Sequence, residues 1–316
     1  MSDESPAFPP ADAESDDSTV PRGLVLVSTP IGNLGDMTRR AVAALRTADL
    51  VLCEDTRVTG RLLSALGIRA RLQALHDHNE EGRIPAVLGL LRQGCRVVLV
   101  SDAGMPLVSD PGYRLVRAVI DAGLNVGGVP GPSAAPLALV LSGLPPQPFL
   151  FMGFPPPRPA ARRVAFARLR QAERAGLSAT LIWYEAPHRL SETLADALAV
   201  FGDRPAAVAR ELTKRFEEIR RGLLSVLVGR QDGDPARGEI TLLLGPATEE
   251  PASADDLDRM LREALAAHSV KDAADLVAAA IGLPRKTVYA RALALSRDKG
   301  PATGSRLSGG GGDFPA

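Results

Sequence analysis

Three times before residue 136, a run of apolar residues breaks directly into glycine, proline and small polar residues. Leu24, Val25, Leu26 and Val27 lead into Ser28, Thr29, Pro30, Ile31, Gly32 and Asn33. Val97, Val98, Leu99 and Val100 lead into Ser101, Asp102, Ala103, Gly104, Met105 and Pro106, and residues 126–129 lead into Pro130, Gly131, Pro132, Ser133 and Ala134. A strand buried on both faces of a parallel sheet reads as an unbroken apolar run, and such sheets bind ligands beyond the carboxyl ends of their strands. The pattern predicts an α/β fold with a ligand site on these three loops. The intervening segments agree. Strands at 24–28, 49–53, 96–100 and 126–129 alternate with helices expected near 38–47, 57–66, 82–93 and 111–122, the arrangement of parallel βαβ units. Asp110 before Pro111 reads as the N-cap and first position of the last helix.

The segment Pro145, Pro146, Gln147, Pro148 reads as a linker. After it come a helix at 160–174, a strand at 180–184, a helix at 189–201 and a strand at 206–210. Two consecutive strands, at 223–228 and 239–244, then predict a second α/β domain with a mixed sheet. Beyond Pro246 the pattern turns to short helices. Ser269 and Asp272 offer a capping box to a helix over 271–281, Gly282 ends it, and Pro284 opens another that runs to about Ser296. Ala278, Gly282 and Val288 have helix-turn-helix spacing. The expected organisation is an acidic tail over 1–22, an N-terminal α/β domain over 23–147, a C-terminal α/β domain over 148–248, a helical domain over 249–299 and a Gly-rich tail over 300–316. Both tails lack the apolar content to fold.

A chain of 316 residues with 45% hydrophobic content supports more than one core. Its formal net charge of zero is unevenly spread: residues 1–22 carry −5 and residues 300–316 carry none, which leaves +5 on the body. That excess is compatible with an RNA partner. The N-terminus has no positively charged start followed by an apolar stretch, so no secretory signal is expected. Cys53 and Cys95 stand far apart without CxxC spacing, which argues for a reducing compartment, the cytoplasm, and against a thiolate zinc site. Residues 122–157 form 36 positions without a charge, but nine prolines and six glycines among them interrupt any helix of the roughly 20 residues a membrane span needs. A buried strand, a loop and a short helix are expected there, in a soluble protein.

No GxxxxGK[ST] motif occurs and no GxGxxG follows a strand, which removes the two glycine signatures for nucleotide phosphates. The loops offer backbone groups, the hydroxyls of Ser28, Thr29, Ser101 and Ser133, and the carboxylate of Asp102. This chemistry suits a ligand with an amino acid portion, a ribose and a positive charge; the alternative is that the glycines and prolines only make turns. Glu54, Asp55, Thr56 and Arg57 follow the strand at 49–53. Paired acids there either accept a proton from a hydroxyl, with Arg57 holding one ionised, or simply open a helix. His76, Asp77 and His78 read as a solvated loop or a substrate contact. No metal is expected with only four histidines in the chain. Tyr184 to Arg189 and Arg210 to Arg215 place polar groups at strand ends, as ligand contacts or as internal salt bridges. Six arginines, Arg158, Arg162, Arg163, Arg168, Arg170 and Arg174, crowd one helix, and Lys214, Arg215, Arg220 and Arg221 form a second cluster. Such clusters either attract a phosphate backbone or make a solvated face.

Residues 28–36, 54–57, 76–80, 101–112, 130–134, 184–189, 210–214 and 238–242 together, in this order, resemble the ribosomal small subunit methyltransferase I family of the tetrapyrrole methylase superfamily. The likeness runs from about Leu24 to Pro246, and the helical tail to about Ser296 resembles the family's C-terminal extension. The resemblance implies methylation of the ribose 2′-oxygen of a cytidine in 16S rRNA, two α/β domains of the class III methyltransferase type with S-adenosylmethionine in the cleft between them, and a homodimer. It assigns the methionine end of the cofactor to Asp102, Ala103, Gly104, Met105, Pro106, Ser133 and Ala134. Pro30, Ile31, Gly32 and Asn33 would face the transferring methyl, with Tyr184 and Leu212 beside the adenosine. Met105 departs from the family, which carries threonine there. On this reading Asp55 or Glu54 acts as or orients the base, and Arg57 and His76 hold the nucleotide. His188, Arg189, Arg162, Arg163, Arg210 and Lys214 contact the RNA substrate or the small ribosomal subunit. Two other readings are a tetrapyrrole C-methyltransferase, against which the arginine clusters and the helical extension stand, and a helix-turn-helix regulator with a ligand-sensing α/β part.

Overall fold

The computed structural model describes residues 20–229, 238–247, 254–281 and 283–298. The tails expected over 1–22 and 300–316 fall almost wholly outside these residues, as does Gly282. The chain divides into two units, Met1–Ala247 and Thr248–Ala316.

The first unit opens with β1 (Leu24–Val27), α1 (Arg39–Arg46), β2 (Leu50–Cys53), α2 (Thr56–Ala65), β3 (Leu72–Ala74), α3 (Glu80–Arg92), β4 (Val97–Val100), α4 (Tyr113–Asp121) and β5 (Val126–Val129). These strands form one parallel sheet in the order β3-β2-β4-β1-β5. Every residue of β2 and β4 is buried, which explains their unbroken apolar sequence. Alternate residues serve opposite faces. Val25, Val27, Val51, Val98 and Val100 pack with Ala44 and Leu45 of α1 and Leu63 of α2. Leu24, Leu50, Leu52, Val97 and Leu99 pack with Val87 and Leu91 of α3 and Leu115 and Val119 of α4. Each of these Val and Leu side chains stabilises the sheet by about 1.5–3 kcal/mol on burial. From β1 the chain crosses to β2 on one side, whereas from β4 it crosses to β5 on the other. The connections leaving the adjacent strands β1 and β4 therefore pass over opposite faces of the sheet, α1 on one and α4 on the other, and such a switch point places a ligand site beyond the strands' carboxyl ends.

Next come α5 (Ala134–Ser142), β6 (Phe149–Phe151), α6 (Pro159–Arg174), β7 (Thr180–Glu185), α7 (Leu190–Phe201), β8 (Pro205–Arg210), β9 (Glu218–Leu223), α8 (Leu224–Gly229) and β10 (Ile240–Leu244). The second sheet has the order β6-β7-β10-β8-β9, with β6 and β7 parallel and the remaining pairs antiparallel. It is mixed, as expected. Helices α6, α7 and α8 cover one face through Phe166, Leu194, Phe201, Leu224 and Leu227. Helix α5 covers the other through Ala135, Ala138 and Leu139, although it lies on the N-terminal side of the expected linker.

Three expectations are corrected. Residues 224–228, read as a strand, belong to α8, and the strand before them is β9. A short apolar run has no period by which to tell the two apart. The short strands β3 and β6 were not expected: β3 lies in a segment read as a loop, and β6 directly follows the expected linker. Asp110 and Pro111 do not open α4; Gly112 caps it, with φ 122°. A Cβ at Gly112 would come within 2.7 Å of Leu99 Cδ2, so glycine is needed there both for conformation and for room.

In the second unit, α9 (Ala254–Ala264), α10 (Val270–Ile281) and α11 (Arg285–Asp298) surround Leu257, Leu261, Ala274, Val277, Val288, Ala292 and Leu295. Ser269 Oγ accepts the Asp272 amide at 3.2 Å at the start of α10 and donates to the Asp272 carboxylate at 2.7 Å. Arg291 of α11 holds Asp258 of α9 through two contacts of 2.5 Å. Among the described residues, no helix is long and apolar enough to cross a membrane.

Candidate active site

The loops after β1 and β4 are tied together. Thr29 and Gly104 exchange backbone hydrogen bonds of 2.9 and 3.1 Å, Thr29 Oγ1 donates to the Ser101 carbonyl at 3.1 Å, and Ser101 Oγ donates to the Gly104 carbonyl at 2.8 Å. The third loop presses on the first, since a Cβ at Gly131 would lie 2.9 Å from Ser28 Cβ. Leu107 and Ser109 both adopt φ 71°, a left-handed conformation that side chains disfavour. Between this rim and the second sheet lies a cavity of about 330 Å³. Ile31, Ala103, Gly104, Met105, Val108, Ser109, Asp110 and Ala134 line one side, and Phe154, Tyr184, Glu185, Ala209, Leu212, Glu239, Ile240 and Thr241 line the other.

Three carboxylates line the cavity, and no Lys or Arg does so among the described residues. Glu185 is buried and fully engaged: Thr193 Oγ1 donates to it at 2.5 Å, the Ala186 amide at 2.7 Å, and Arg189 approaches at 3.2 Å. Arg189 also donates to the Pro155 carbonyl at 2.6 Å, which fixes the loop carrying Phe154. Glu239 meets Lys214 Nζ at 3.3 Å, and the same ammonium holds Glu211 at 2.8 Å. Asp110 differs. Its pKa is raised to about 7 by burial first, then by repulsion from Glu54 and Asp102. Burial also raises Tyr184, against the Ala135 amide and the Ser133 hydroxyl. An apolar cavity lined by three carboxylates, of which only Glu185 and Glu239 have a cationic partner, suits a cationic ligand better than a polyphosphate.

Residues 23–228 match the family described as Tetrapyrrole (Corrin/Porphyrin) Methylases, and residues 251–296 match the one described as RsmI C-terminal HTH domain. The chain is 47% identical over 282 residues to the Ribosomal RNA small subunit methyltransferase I of Micromonospora olivasterospora, covering 88% of each. It is 43% identical over 275 residues to the protein of the same name in Escherichia coli O157:H7, covering 85% of this chain and 94% of that one. The chain belongs to the ribosomal RNA small subunit methyltransferase I family. A crystal structure of the methyltransferase CobJ has the same fold, with TM-score 0.51 and 21% identity over 71% of this chain and 94% of that chain. Full-length relatives with a matched C-terminal extension favour this family over the tetrapyrrole C-methyltransferase and regulator readings.

In this methyltransferase the expected residues divide into several groups. Ile31, Ala103, Gly104, Met105, Ala134, Tyr184 and Leu212 meet at the cavity. Pro30, Gly32, Asn33, Asp102, Pro106 and Ser133 stand in the same loops outside its lining. Asp102 Oδ1 accepts the Asp55 amide at 3.1 Å and so joins the ends of β2 and β4. Asp55 stands at the start of α2, outside the cavity lining. Its carboxylate caps α2 and is gripped by Arg57 at 2.6–3.2 Å, and those hydrogen bonds lower its pKa to about 2. Glu54 is raised, by burial and then by Asp102, Asp77 and Asp55. Arg57 is 87% exposed, and His76 sits 3.0 Å from Asn79. His188 lies in the turn Pro187–Arg189 before α7.

Arg162 is 1% exposed and donates to Asp196 at 2.7 Å, so it is unavailable to RNA, and Arg163 takes the other Asp196 oxygen at 2.6 Å. The partners lie on α7, more than thirty residues away, where no sequence spacing reveals them. Arg189 is likewise committed inside the protein, as described above. Arg210 faces Glu218 at 3.8 Å, and Lys214 lies across Gly32. Asp110, Glu239, Phe154 and Thr241 were missed as cavity residues. For Asp110 the signal was present but pointed elsewhere, because Asp-Pro at a helix start resembles a cap.

Proposed function

We propose that this protein transfers a methyl group from S-adenosylmethionine to the ribose 2′-oxygen of a cytidine in 16S ribosomal RNA, in the cytoplasm. The observation that carries this reading is a carboxylate-lined cavity without a basic residue, at the switch point of a parallel sheet, in a chain of this family. The residues present fit such a donor. Ile31, Met105 and Leu212 would supply apolar contact, the loop at Ala103 and Met105 lines the cavity, and Glu239, which shares Lys214 with Glu211, leaves negative charge on the wall to complement positive charge. When bound, the donor supplies a methyl group on a positively charged sulfur. The chain's part is to align the ribose hydroxyl with that methyl, to exclude water and to take up the hydroxyl proton. Arg57, His76, His188 and Lys214, near the ends of β2, β3, β7 and β8, are the candidate RNA contacts.

We also propose a homodimer. Val140 of α5, Leu223 of β9 and Val226 of α8 are 69%, 44% and 44% exposed, and Arg221 joins α5 to β9 by donating to the Leu141 carbonyl. Sedimentation of the protein checks this, and a monomer at micromolar concentration removes it. The reaction is tested by labelled methyl transfer to small ribosomal subunits that lack the modification, followed by mapping of the labelled nucleotide. Label on a cytidine ribose is expected; unlabelled RNA overturns the reading.

A further inference from the structure

We propose that Asp110 is the group that takes the proton from the attacking ribose hydroxyl. The proposal rests on the methyltransferase reading above and begins with elimination. Of the three carboxylates lining the cavity, Glu185 is saturated by Thr193, Ala186 and Arg189, and Glu239 is held in an ion pair with Lys214, which it shares with Glu211. Asp110 has no hydrogen-bond or ion-pair partner among the described residues. Asp55, the other candidate from the sequence, is locked onto Arg57 and does not line the cavity.

The backbone places Asp110 there at a cost. Leu107 and Ser109 on its N-terminal side are both left-handed, and Gly112 on its C-terminal side has φ 122°. Strain of this kind persists only where the surroundings enforce it, and it gathers at functional positions. The result turns Asp110 away from capping α4 and into the cavity wall.

The electrostatics follow from that placement. The charged groups facing Asp110 are Glu54 at the end of β2 and Asp102 at the end of β4; Tyr184, at the end of β7, also lies within its field. Burial and these two acids hold its pKa near 7. A base of that strength is ionised to a useful extent at neutral pH and still gains basicity over an ordinary carboxylate. As the new bond forms between the ribose oxygen and the methyl carbon, the oxygen–hydrogen bond breaks and the proton passes to Asp110 Oδ. The electron pair of the carbon–sulfur bond leaves with sulfur. Asp110 then returns its proton to solvent.

The test compares wild type with Asp110→Asn in three measurements. Single-turnover methylation of unmodified small subunits is expected to rise with pH up to about 7 in wild type and then level off. In D110N it should fall by at least about a hundredfold and lose the acidic limb. Binding of S-adenosylhomocysteine, followed by calorimetry, should change less than threefold. Thermal stability supplies a readout independent of turnover. A raised folded-state pKa means that ionisation opposes folding, so the penalty grows between about pH 4 and pH 7 and is fully present above that. D110N should therefore gain in Tm over wild type across this window and keep the gain at higher pH. Three results overturn the proposal: turnover in D110N within threefold of wild type, an acidic limb that survives in D110N, or joint loss of S-adenosylhomocysteine binding and stability. Wild-type protein that methylates no ribosomal RNA sinks the underlying reading instead, and the proposal with it.

Discussion

Removing Arg162 would strand the carboxylate of Asp196, which is only 5% exposed and otherwise keeps Arg163, itself 63% exposed. Breaking one side of a buried pair costs about 3–5 kcal/mol, whereas an exposed arginine contributes little. Arg162→Ala should therefore lower the unfolding free energy by roughly that amount, read from denaturant midpoints, while Arg168→Ala shifts it by less than about 0.5 kcal/mol. Equal effects from the two substitutions would show that the α6–α7 pair is not a structural brace. The contrast also marks what single residues reveal in sequence. Ile31, Gly104 and Met105 were legible because they follow apolar strands, where open sheets build sites. Arg162 and Asp110 were not, because their roles depend on neighbours brought in by folding: Asp196 in one case, and Leu107, Ser109 and Glu54 in the other.

Loops act as paired elements around the cavity, and residues 28–33 press closely on residues 211–214. A Cβ on Gly32 would fall 2.3 Å from Lys214 Cγ and 2.8 Å from Cε. Lys214 cannot yield without disturbing its contacts with Glu211 and Glu239, and Glu211 and Thr213 on either side of Leu212 already have φ 51° and 66°. Gly32→Ala should therefore displace Leu212 and Glu239, both of which line the cavity, and weaken S-adenosylhomocysteine binding by about tenfold, or 1.4 kcal/mol. Adding Lys214→Ala to Gly32→Ala should restore part of that affinity in calorimetry. No recovery would place the cost in the Gly32 backbone alone. Elements of this size were unevenly readable. Helices α1 and α6 and strands β1, β2 and β4 carry long or unbroken patterns. The three-residue strands β3 and β6 are too short to carry a period, and β9, an edge strand with the sequence Glu-Ile-Arg-Arg-Gly-Leu, is charged as edges tend to be. The apolar Leu224–Gly229 segment beside it was the more strand-like text, yet it folds as α8 because Leu224 and Leu227, three apart, both reach the core.

At the scale of the molecule, the cavity belongs wholly to the first unit, since every residue lining it lies between Ile31 and Thr241. The second unit has its own apolar core and its own cross-helix pair, Arg291 with Asp258. Its last helix, α11, carries Arg285, Lys286, Arg291 and Arg297. Two of these are already matched, Arg285 by Asp275 and Arg291 by Asp258. Lys286 and Arg297 are exposed and have no ion-pair partner among the described residues, so they are candidates to meet phosphates. The two units should thus separate donor binding from RNA binding. A chain ending at Ala247 is expected to bind S-adenosylhomocysteine within about twofold of the full-length protein, because none of the cavity is removed. Its KM for small subunits should rise roughly tenfold, the equivalent of about 1.4 kcal/mol. Substituting both Lys286 and Arg297 with alanine in the full-length chain should reproduce part of that rise and flatten its dependence on salt, since each lost phosphate contact reduces the number of counterions released. If donor affinity falls with the truncation while the KM for subunits does not, the second unit supports the cavity rather than the RNA, and the division of labour is reversed.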